Sequence, residues 1–252
     1  MASLRNVERR TNQGSDVGFG DELTAQARAT IGGRIMVREG TTVPTTKQVL
    51  LEKNEGVEID ATYLYADMVG SSDLAQTAYK PVTAKIIRSY INGASKILER
   101  YGGEIRSFDG DRVMAIFVGP DKETFAVRAG LAINWLVQQV LRPMVKDAWT
   151  DIAASWQMDH SVGIDTGRAL ITRGGVRGDN DLISIGRAPN VAAKLSDIRS
   201  PLYKVHITHE VYEPMSNAVA FHEGRQMWSR EPILKVGGRA VQVLGTTYWW
   251  EP

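Results

Sequence analysis

Two aspartates in this chain lie beside apolar segments that look like buried strands. Asp67 ends an aromatic run in "YLYADMVGSS", residues 63–72, and Asp111 lies within "IRSFDGDRVMAIF", residues 105–117. Carboxylates avoid such positions unless something pairs with them, because burying an unpaired charge is very costly. A metal ion is one partner that would stabilise both carboxylates there.

Two carboxylates at strand ends commonly hold Mg²⁺ or Mn²⁺, which prefer oxygen ligands and share them with substrate phosphates. Two such ions can activate a hydroxyl and stabilise a leaving pyrophosphate during an in-line displacement. The segment after Asp67, Gly70-Ser71-Ser72, offers backbone N–H groups and hydroxyls to a polyphosphate. A turn or capping role for Asp111 is the alternative, because "DGD" is also good turn chemistry.

The composition excludes several classes of function. The 252 residues suffice for one large domain or a domain with extensions, and 43% hydrophobic with 23% charged residues is ordinary for a globular protein. A formal net charge of +1 gives no electrostatic reason to expect nucleic acid or an anionic membrane as a partner. The absence of cysteine excludes disulfides, thiolate zinc sites and cysteine nucleophiles.

The sequence contains no segment that predicts membrane insertion or secretion. No apolar run approaches the roughly 20 residues of a membrane span. The beginning, "MASLRNVERRTNQGSD", is polar and lacks the apolar core of a signal peptide. These features predict a soluble, cytoplasmic protein.

The first part of the chain predicts an extension with little regular structure. We expect residues 1–16 to be loosely attached and residues 1–56 to form a partly flexible N-terminal extension, followed by the main domain over 57–252. Within the extension, "ELTAQARATI" predicts a short helix, and "RIMVREG" and "KQVLLEK" predict strands.

From about residue 57 the hydrophobic pattern becomes clear. "ATYLYADMV" predicts a strand, and "KPVTAKIIRSYINGASKILERYGG" has apolar residues at helical spacing before a terminating glycine pair. "EIRSF" and "RVMAIFV" flank the turn signal "DGD", and "DKETFAVRAGLAINWLVQQVL" predicts a second long helix. "HSVGIDTGRALITRG" is interpreted as a strand pair with a glycine-bearing turn. The remainder predicts a helix near Pro189, a strand at "KVHIT", a helix at "HEVYEPM" and closing strands in "ILKVGGRAVQVLGTTYWW".

The resulting order, β-α-β-β-α-β, predicts an α+β fold with a ferredoxin-like core, in which helices cover one face of a sheet containing antiparallel strands. Extra strands follow at the C-terminus. In this core the first strand lies beside the hairpin. Asp67 and Asp111 can therefore point into one small space at the sheet edge.

Four segments resemble the catalytic domain of class III nucleotidyl cyclases: "YADMVGSS", "YGGEIRSFDGDRVMAIF", "VGIDTGRALI" and "IGRAPNVAAKLSDI". The family pattern is approximately Phe-x-Asp-Ile-x-Gly-Phe-Thr, then Gly-Gly and Gly-Asp, then Gly-Ile-x-x-Gly, then Gly-x-x-Val-Asn-x-Ala-x-Arg. The resemblance covers residues 58 to about 250. "GRAPNVAAKL" is most similar to the pyrimidine (uridylate or cytidylate) cyclases of bacterial antiphage signalling.

The resemblance implies roles for individual residues. Asp67 and Asp111 would bind two divalent cations, Mn²⁺ or Mg²⁺, together with the main-chain carbonyl of Met68. Ser72 stands where the family has a threonine that contacts phosphate. Asn190 stands where the family has the asparagine that orients the ribose.

Two lysines are the expected cationic residues of the site. Lys194 stands where the family usually has the arginine that neutralises the α-phosphate in the transition state, and it supplies a point charge rather than a planar fork. Lys235, in "LKVGG", is the candidate for the family's triphosphate lysine. In the family, the aspartates and the asparagine–arginine pair come from different subunits. The resemblance therefore implies a homodimer with two shared active sites.

The base-reading positions differ from those of the purine cyclases. Adenylyl cyclases carry Lys and Asp or Thr there, and guanylyl cyclases Glu and Cys, whereas this chain has Ser107 and Ile183. Ser71 replaces the family's phenylalanine after the glycine, and Tyr65 replaces the one before Asp67. Ser107 suits a smaller base and Tyr65 restricts the pocket. These departures favour a pyrimidine triphosphate, with UTP ahead of CTP.

We therefore expect a phosphorus–oxygen lyase that converts UTP to 3′,5′-cyclic UMP and pyrophosphate as a second messenger in antiphage defence. The open alternatives are a cytidylate cyclase, an adenylyl cyclase with an atypical base pocket, and a non-catalytic nucleotide-binding regulatory domain. The presence of both aspartates argues against the last, whereas Lys194 in place of arginine leaves it open. A diguanylate cyclase would show Gly-Gly-Asp/Glu-Glu-Phe at the hairpin, which "FDGDR" does not match.

Overall fold

The structure is a computed structural model that describes residues 18–252. The prediction for residues 1–16 lies outside this range. The helices are α1 Phe19–Gly32, α2 Ser71–Thr77, α3 Lys80–Arg100, α4 Lys122–Trp135 continued by a π-helical turn at Leu136–Leu141, α5 Arg142–Ala148, α6 Thr150–Ser155, α7 Arg187–Ser196, α8 His209–Tyr212 and α9 Asn217–Ala220. In the part of the chain described, no helix is long and apolar enough to cross a membrane.

The strands form one large sheet and two small hairpins. Their bounds are β1 Met36–Gly40, β2 Glu55–Val69, β3 Glu104–Asp109, β4 Arg112–Phe117, β5 Asp159–Val176, β6 Asp179–Gly186, β7 Val205–Thr208, β8 Phe221–His222, β9 Arg225–Gln226, β10 Ser229–Arg230, β11 Leu234–Val236, β12 Arg239–Val241 and β13 Val243–Thr246. The large sheet has the order β10-β13-β7-β5-β2-β4-β3, with β1 beside β2 and β6 beside β5. The strand order β5-β2-β4-β3 is that of the ferredoxin-like core, so the predicted fold class is confirmed.

The central strand β2 separates two hydrophobic layers. Leu64, Ala66 and Met68 belong to the core under α3 and α4, whereas Tyr63 belongs to the core on the opposite face. This alternation follows from the two-residue period of a strand. Asp67 follows Tyr63 by an even number of residues, so both side chains lie on the same face of β2, away from α3 and α4.

The short helix α7 covers that second face, which corrects the prediction that helices lie on one face only. Ala188 and Ala192 of α7 pack into the core that contains Tyr63. The close approach requires Gly163 on β5, because a Cβ there would lie 2.2 Å from the carbonyl oxygen of Ala192. The glycine of "VGIDTG" thus positions the helix that carries Asn190 and Lys194.

The segment interpreted as a strand pair is one continuous strand, so that prediction is wrong. β5 pairs with β2 without interruption from Asp159 opposite Val69 to Thr172 opposite Gly56. Gly167 adopts a φ of 148° inside the strand, and glycine accepts this without ending the ladder. The chain reverses only after Val176, where β6 begins its antiparallel pairing with β5.

The N-terminal segment contains the predicted helix α1 and strand β1, and β1 pairs in parallel with the first residues of β2. The domain boundary at residue 57 stays a prediction. The expected strand at "KQVLLEK" is absent, because residues 47–53 form turns. Side chains bond to this backbone instead of a ladder: Arg38 donates to the carbonyl of Gln48 at 3.3 Å, Arg173 donates to the carbonyl of Val49 at 3.4 Å, and Glu55 accepts from the N–H of Leu50 at 2.6 Å.

Candidate active site

The two aspartates lie at the same end of neighbouring strands. Asp67 faces Arg112 across the β2–β4 pairing, and Asp111 immediately precedes Arg112 in the two-residue turn between β3 and β4. Burial, followed by the charges of Asp67 and Asp111, raises the pKa of the Tyr90 phenol well above its usual value. That the two carboxylates share one metal site stays a prediction.

Both oxygens of Asp67 are paired with arginine. Arg112 Nε donates to Oδ1 at 3.3 Å, and Arg199 Nη2 donates to Oδ2 at 2.7 Å. The Asp67 side chain is only 8% exposed, so these guanidinium groups supply the countercharge that a buried carboxylate requires. Asp111 differs, because its Oδ2 is buried and has no hydrogen-bond partner.

An oxygen-binding cation fits this donor set. Across residues 18–252, no cluster of three or more His, Cys, Asp or Glu side chains has the arrangement of a metal site. Two carboxylates and the main-chain carbonyl of Met68 are oxygen ligands, the type that Mg²⁺ and Mn²⁺ prefer, and Mg²⁺ usually completes its shell with substrate phosphates. The unpartnered buried oxygen of Asp111 is a ready ligand. A cation at Asp67 would have to displace Arg112 and Arg199 from the carboxylate.

The ion pairs continue from the aspartates to Lys194. Arg112 Nη2 donates to Asp197 Oδ1 at 2.5 Å, and Lys194 Nζ lies 3.4 Å from Asp197 Oδ2. Lys194 is 63% exposed at the surface of α7. The Lys194 side chain thus lies near the end of α7, and Asp197 links it to Arg112.

A second cluster forms a pocket beside the aspartates. Four predicted site residues, Tyr65, Ser107, Ile183 and Asn190, line one cavity of about 270 Å³. They come from β2, β3, β6 and α7, which the sheet and the α7 packing bring together. The predicted base-pocket residues Tyr65, Ser107 and Ile183 therefore share one cavity with Asn190, the predicted ribose residue, and their roles stay predictions.

The remaining predicted residues lie outside this cavity. Ser71 and Ser72 begin α2 after Gly70, whose carbonyl accepts a hydrogen bond from Trp156 Nε1 at 2.9 Å. Lys235 is exposed on the β11–β12 hairpin, whose Leu234 and Val236 pack near α7. No hydrogen bond or ion pair links Lys235 to the aspartates in the described structure, and its role stays a prediction.

Sequence reasoning missed three charged residues of the site. Asp197 and Arg199 follow α7 in "SDIRS", and Asp181 lies in the cavity lining on β6. A signal for Asp181 was present, since it precedes Ile183 by two residues and therefore shares its strand face. Asp197 and Arg199 gave no such signal, because the arginine partner of Asp197 lies on β4 and the carboxylate partner of Arg199 lies on β2.

No protein-family model matches the chain. A protein named uridylate cyclase from Rhodovulum sp. is 45% identical over 177 residues, covering 70% of this chain and 73% of the relative. Another uridylate cyclase, from Burkholderia cepacia, is 38% identical over 216 residues, covering 84% of this chain and 90% of the relative.

Solved structures show the same fold. The adenylyl cyclase CyaB from P. aeruginosa has a TM-score of 0.63 and 26% identity, covering 76% of this chain and 95% of that one. The guanylyl cyclase Cya2 has a TM-score of 0.63 at 16% identity, a likeness of fold alone, covering 78% of this chain and 96% of that one. The chain belongs to the uridylate cyclase family and has the fold of class III nucleotidyl cyclases.

Proposed function

We propose that this nucleotidyl cyclase converts UTP to 3′,5′-cyclic UMP and pyrophosphate. The observation that carries the proposal is the cavity lined by Tyr65, Ser107 and Ile183. In the sequence, Ser107 and Ile183 stand where the purine cyclases carry their base-reading residues. At these positions the chain has neither the Lys with Asp or Thr of adenylyl cyclases nor the Glu and Cys of guanylyl cyclases. Membership of a family whose relatives are named uridylate cyclase supports the same substrate.

In the proposed reaction the ribose 3′-oxygen bonds to the α-phosphorus. The bond from that phosphorus to the oxygen bridging to the β-phosphate breaks, and pyrophosphate leaves with the electron pair. The hydroxyl proton passes to a phosphate oxygen or to water, so no histidine base is required. Catalysis then depends mainly on positioning and charge stabilisation.

The residues divide this work. Asp67, Asp111 and the carbonyl of Met68 would hold two divalent cations, Mg²⁺ or Mn²⁺. When bound, these cations lower the pKa of the 3′-hydroxyl and neutralise the triphosphate. Asn190 orients the ribose in the cavity, and Lys194 places positive charge at the α-phosphate.

Phosphate binding is the proposed role of the residues outside the cavity. Ser71 and Ser72 offer hydroxyls directly after the strand that carries Asp67. Lys235 reaches the triphosphate from the exposed β11–β12 hairpin. If divalent cations bound at Asp67, Arg112 and Arg199 would be released from it, and phosphate oxygens are suitable partners for their guanidinium groups.

We also infer a homodimer with two shared active sites. Within one chain both carboxylate oxygens of Asp67 are paired with Arg112 and Arg199 of the same chain, whereas Lys194 is 63% exposed. An exposed cation of this kind is available to the aspartates of a second copy. The antiphage second-messenger role belongs to the same proposal and derives from the resemblance to the antiphage cyclases. The cytoplasmic location is also a proposal.

Product identification tests the function directly. The purified protein is incubated with ATP, GTP, CTP and UTP in equal concentration with Mn²⁺, and the products are identified by mass. We expect cyclic UMP as the main product. Faster cyclisation of ATP or GTP than of both pyrimidine nucleotides would overturn the pyrimidine assignment, and absence of any cyclic product would favour a regulatory nucleotide-binding domain.

A further inference from the structure

Strand β3 contains an irregularity at the cavity. Its pairing with β4 shifts register between Ile105 and Ser107, so Arg106 is an extra residue on that strand. Consecutive strand residues normally point to opposite faces, but a bulge can re-aim a side chain, and bulges are common beside active sites. Here both Arg106 and Ser107 line the same cavity.

An acid from another strand lies opposite Arg106. Asp181, on β6, lines the same cavity, and its Oδ1 is 3.4 Å from Arg106 Nη2. The same oxygen accepts the N–H of Leu182 at 2.7 Å, which fixes the carboxylate. The Arg106 side chain is 20% exposed and that of Asp181 65%. The 3.4 Å separation exceeds the usual hydrogen-bond range, so a polar ligand can replace this contact.

We propose that Arg106 and Asp181 read the edge of the pyrimidine and select uracil over cytosine. The proposal rests on the proposed function and names its base-reading residues. Arg106 donates to the uracil O4 carbonyl, and the Asp181 carboxylate accepts the N3–H. An arginine supplies only hydrogen-bond donors and an ionised carboxylate only acceptors. The pair therefore presents a donor at one position and an acceptor at the other.

Cytosine presents the opposite polarity at the same two positions. Its N4 amino group would face the donors of Arg106, and its unprotonated N3 would face the carboxylate of Asp181. Such a mismatch leaves polar groups of the site unpaired, which is strongly selective. Guanine has the same order as uracil, O6 followed by N1–H, so its exclusion depends on the size of the cavity and on Tyr65.

Two single variants test this assignment. In Asp181→Asn and Arg106→Gln, the amide carries both a donor and an acceptor and can match either base. We expect the ratio of kcat/KM for UTP to that for CTP to fall by roughly tenfold or more, as for loss of one hydrogen bond to a charged group. Asp179→Asn makes the same change on the same strand outside the cavity and should keep the parent ratio.

A binding measurement separates this proposal from the proposed function. Dissociation constants for UTP and CTP are measured by calorimetry in Ca²⁺, so that selectivity is read even if no product forms. A parent that binds UTP preferentially but forms no cyclic UMP contradicts the function and not the base reading. Equal UTP preference in the parent and in folded Asp181→Asn overturns the base reading, as does a parent without UTP preference. Melting temperatures establish that each variant is folded, and the exposed Asp181 makes that variant decisive if Arg106→Gln unfolds.

Discussion

At the scale of single residues, Asp67 and Asp111 differ although both are proposed metal ligands. Asp67 is paired with Arg112 and Arg199, whereas a buried oxygen of Asp111 has no partner. A buried carboxylate without a metal needs countercharge, and Asp67 has it from two guanidinium groups. The same substitution should therefore affect stability differently at the two positions.

Asp67→Asn and Asp111→Asn should each lower cyclase activity by about 10²-fold or more, since each removes charge stabilisation at the reacting phosphate. Without divalent cations, Asp67→Asn should also lose about 1–2 kcal/mol of unfolding free energy, because two arginines lose a charged partner. Asp111→Asn should unfold like the parent. Cyclase assays and urea unfolding in EDTA measure both effects, and substantial activity in folded Asp111→Asn would contradict the metal assignment.

Asp165 makes the unfolding free energy of the protein depend on pH. Burial, opposed by a hydrogen bond from Thr208 and by the charge of Arg187, raises the pKa of Asp165 from 3.8 to about 6. The folded state therefore binds the proton more tightly than the unfolded state. Because ionisation must occur in a buried place, the unfolding free energy falls as the pH rises through this window.

Asp165→Asn should remove this dependence. Relative to the parent, the variant should gain on the order of 3 kcal/mol of unfolding free energy between about pH 4 and about pH 6, and no more above it. Urea unfolding of both proteins across this range measures the difference. The exposed Asp179→Asn is the control, and a pH-independent difference between Asp165→Asn and the parent would contradict the raised pKa.

At the scale of elements, the contact between α7 and β5 positions the proposed ribose and α-phosphate residues. Gly163 lies directly under α7, where a Cβ would be 2.2 Å from the carbonyl oxygen of Ala192 and 2.3 Å from the nitrogen of Ser196. These are backbone atoms and cannot move without moving the helix. The position of Asn190 therefore depends on the absence of a side chain on β5.

Gly163→Ala should displace α7 and reduce both stability and turnover. Forcing one methyl group into a packed contact costs about 1–3 kcal/mol, and misplacing Asn190 should lower kcat. Thermal unfolding and steady-state kinetics measure the two losses. Gly20→Ala is the matched control, because no atom lies within 4 Å of the added Cβ. If Gly163→Ala had the kinetics of the parent, the packing of α7 on β5 would not control the position of Asn190 in the site.

At the scale of the whole molecule, one chain contains two incomplete halves of the proposed site. The aspartates and the serines of α2 form one half, and the cavity with Asn190 and Lys194 forms the other. In a two-fold symmetric dimer, each half can face the complementary half of the second copy. Two composite sites then form, each requiring residues from both chains.

Mixing two inactive variants tests this arrangement. Asp67→Asn and Asn190→Ala damage different halves, so each heterodimer keeps one intact composite site. Equal mixing with subunit exchange should restore up to about a quarter of the parent activity, as random pairing in a two-fold dimer requires. Asp67→Asn mixed with Asp111→Asn should stay inactive, because both changes affect the same half. If exchange is demonstrated and the first mixture stays inactive, the shared site is wrong.

Local sequence patterns predicted most of the elements and the types of residue in the proposed site. Period-two and helical hydrophobic patterns located the central strand β2 and the helix α3, and the strand-end aspartates indicated an oxygen-ligand site. These signals are local, because each depends on residues a few positions apart. The same locality explains two errors. Gly167 resembles a turn but lies within β5, and "KQVLLEK" resembles a strand but forms turns, with the distant Arg173 donating to the carbonyl of Val49.

Only the tertiary structure decided which charges meet. Arg199 pairs with Asp67 across 132 positions of sequence, and Arg106 meets Asp181 across 75. Such contacts depend on sheet order, on the bulge at Arg106 and on how closely α7 approaches β5. Sequence periodicity gives the face on which a residue lies, but the partner on that face is set by packing between elements.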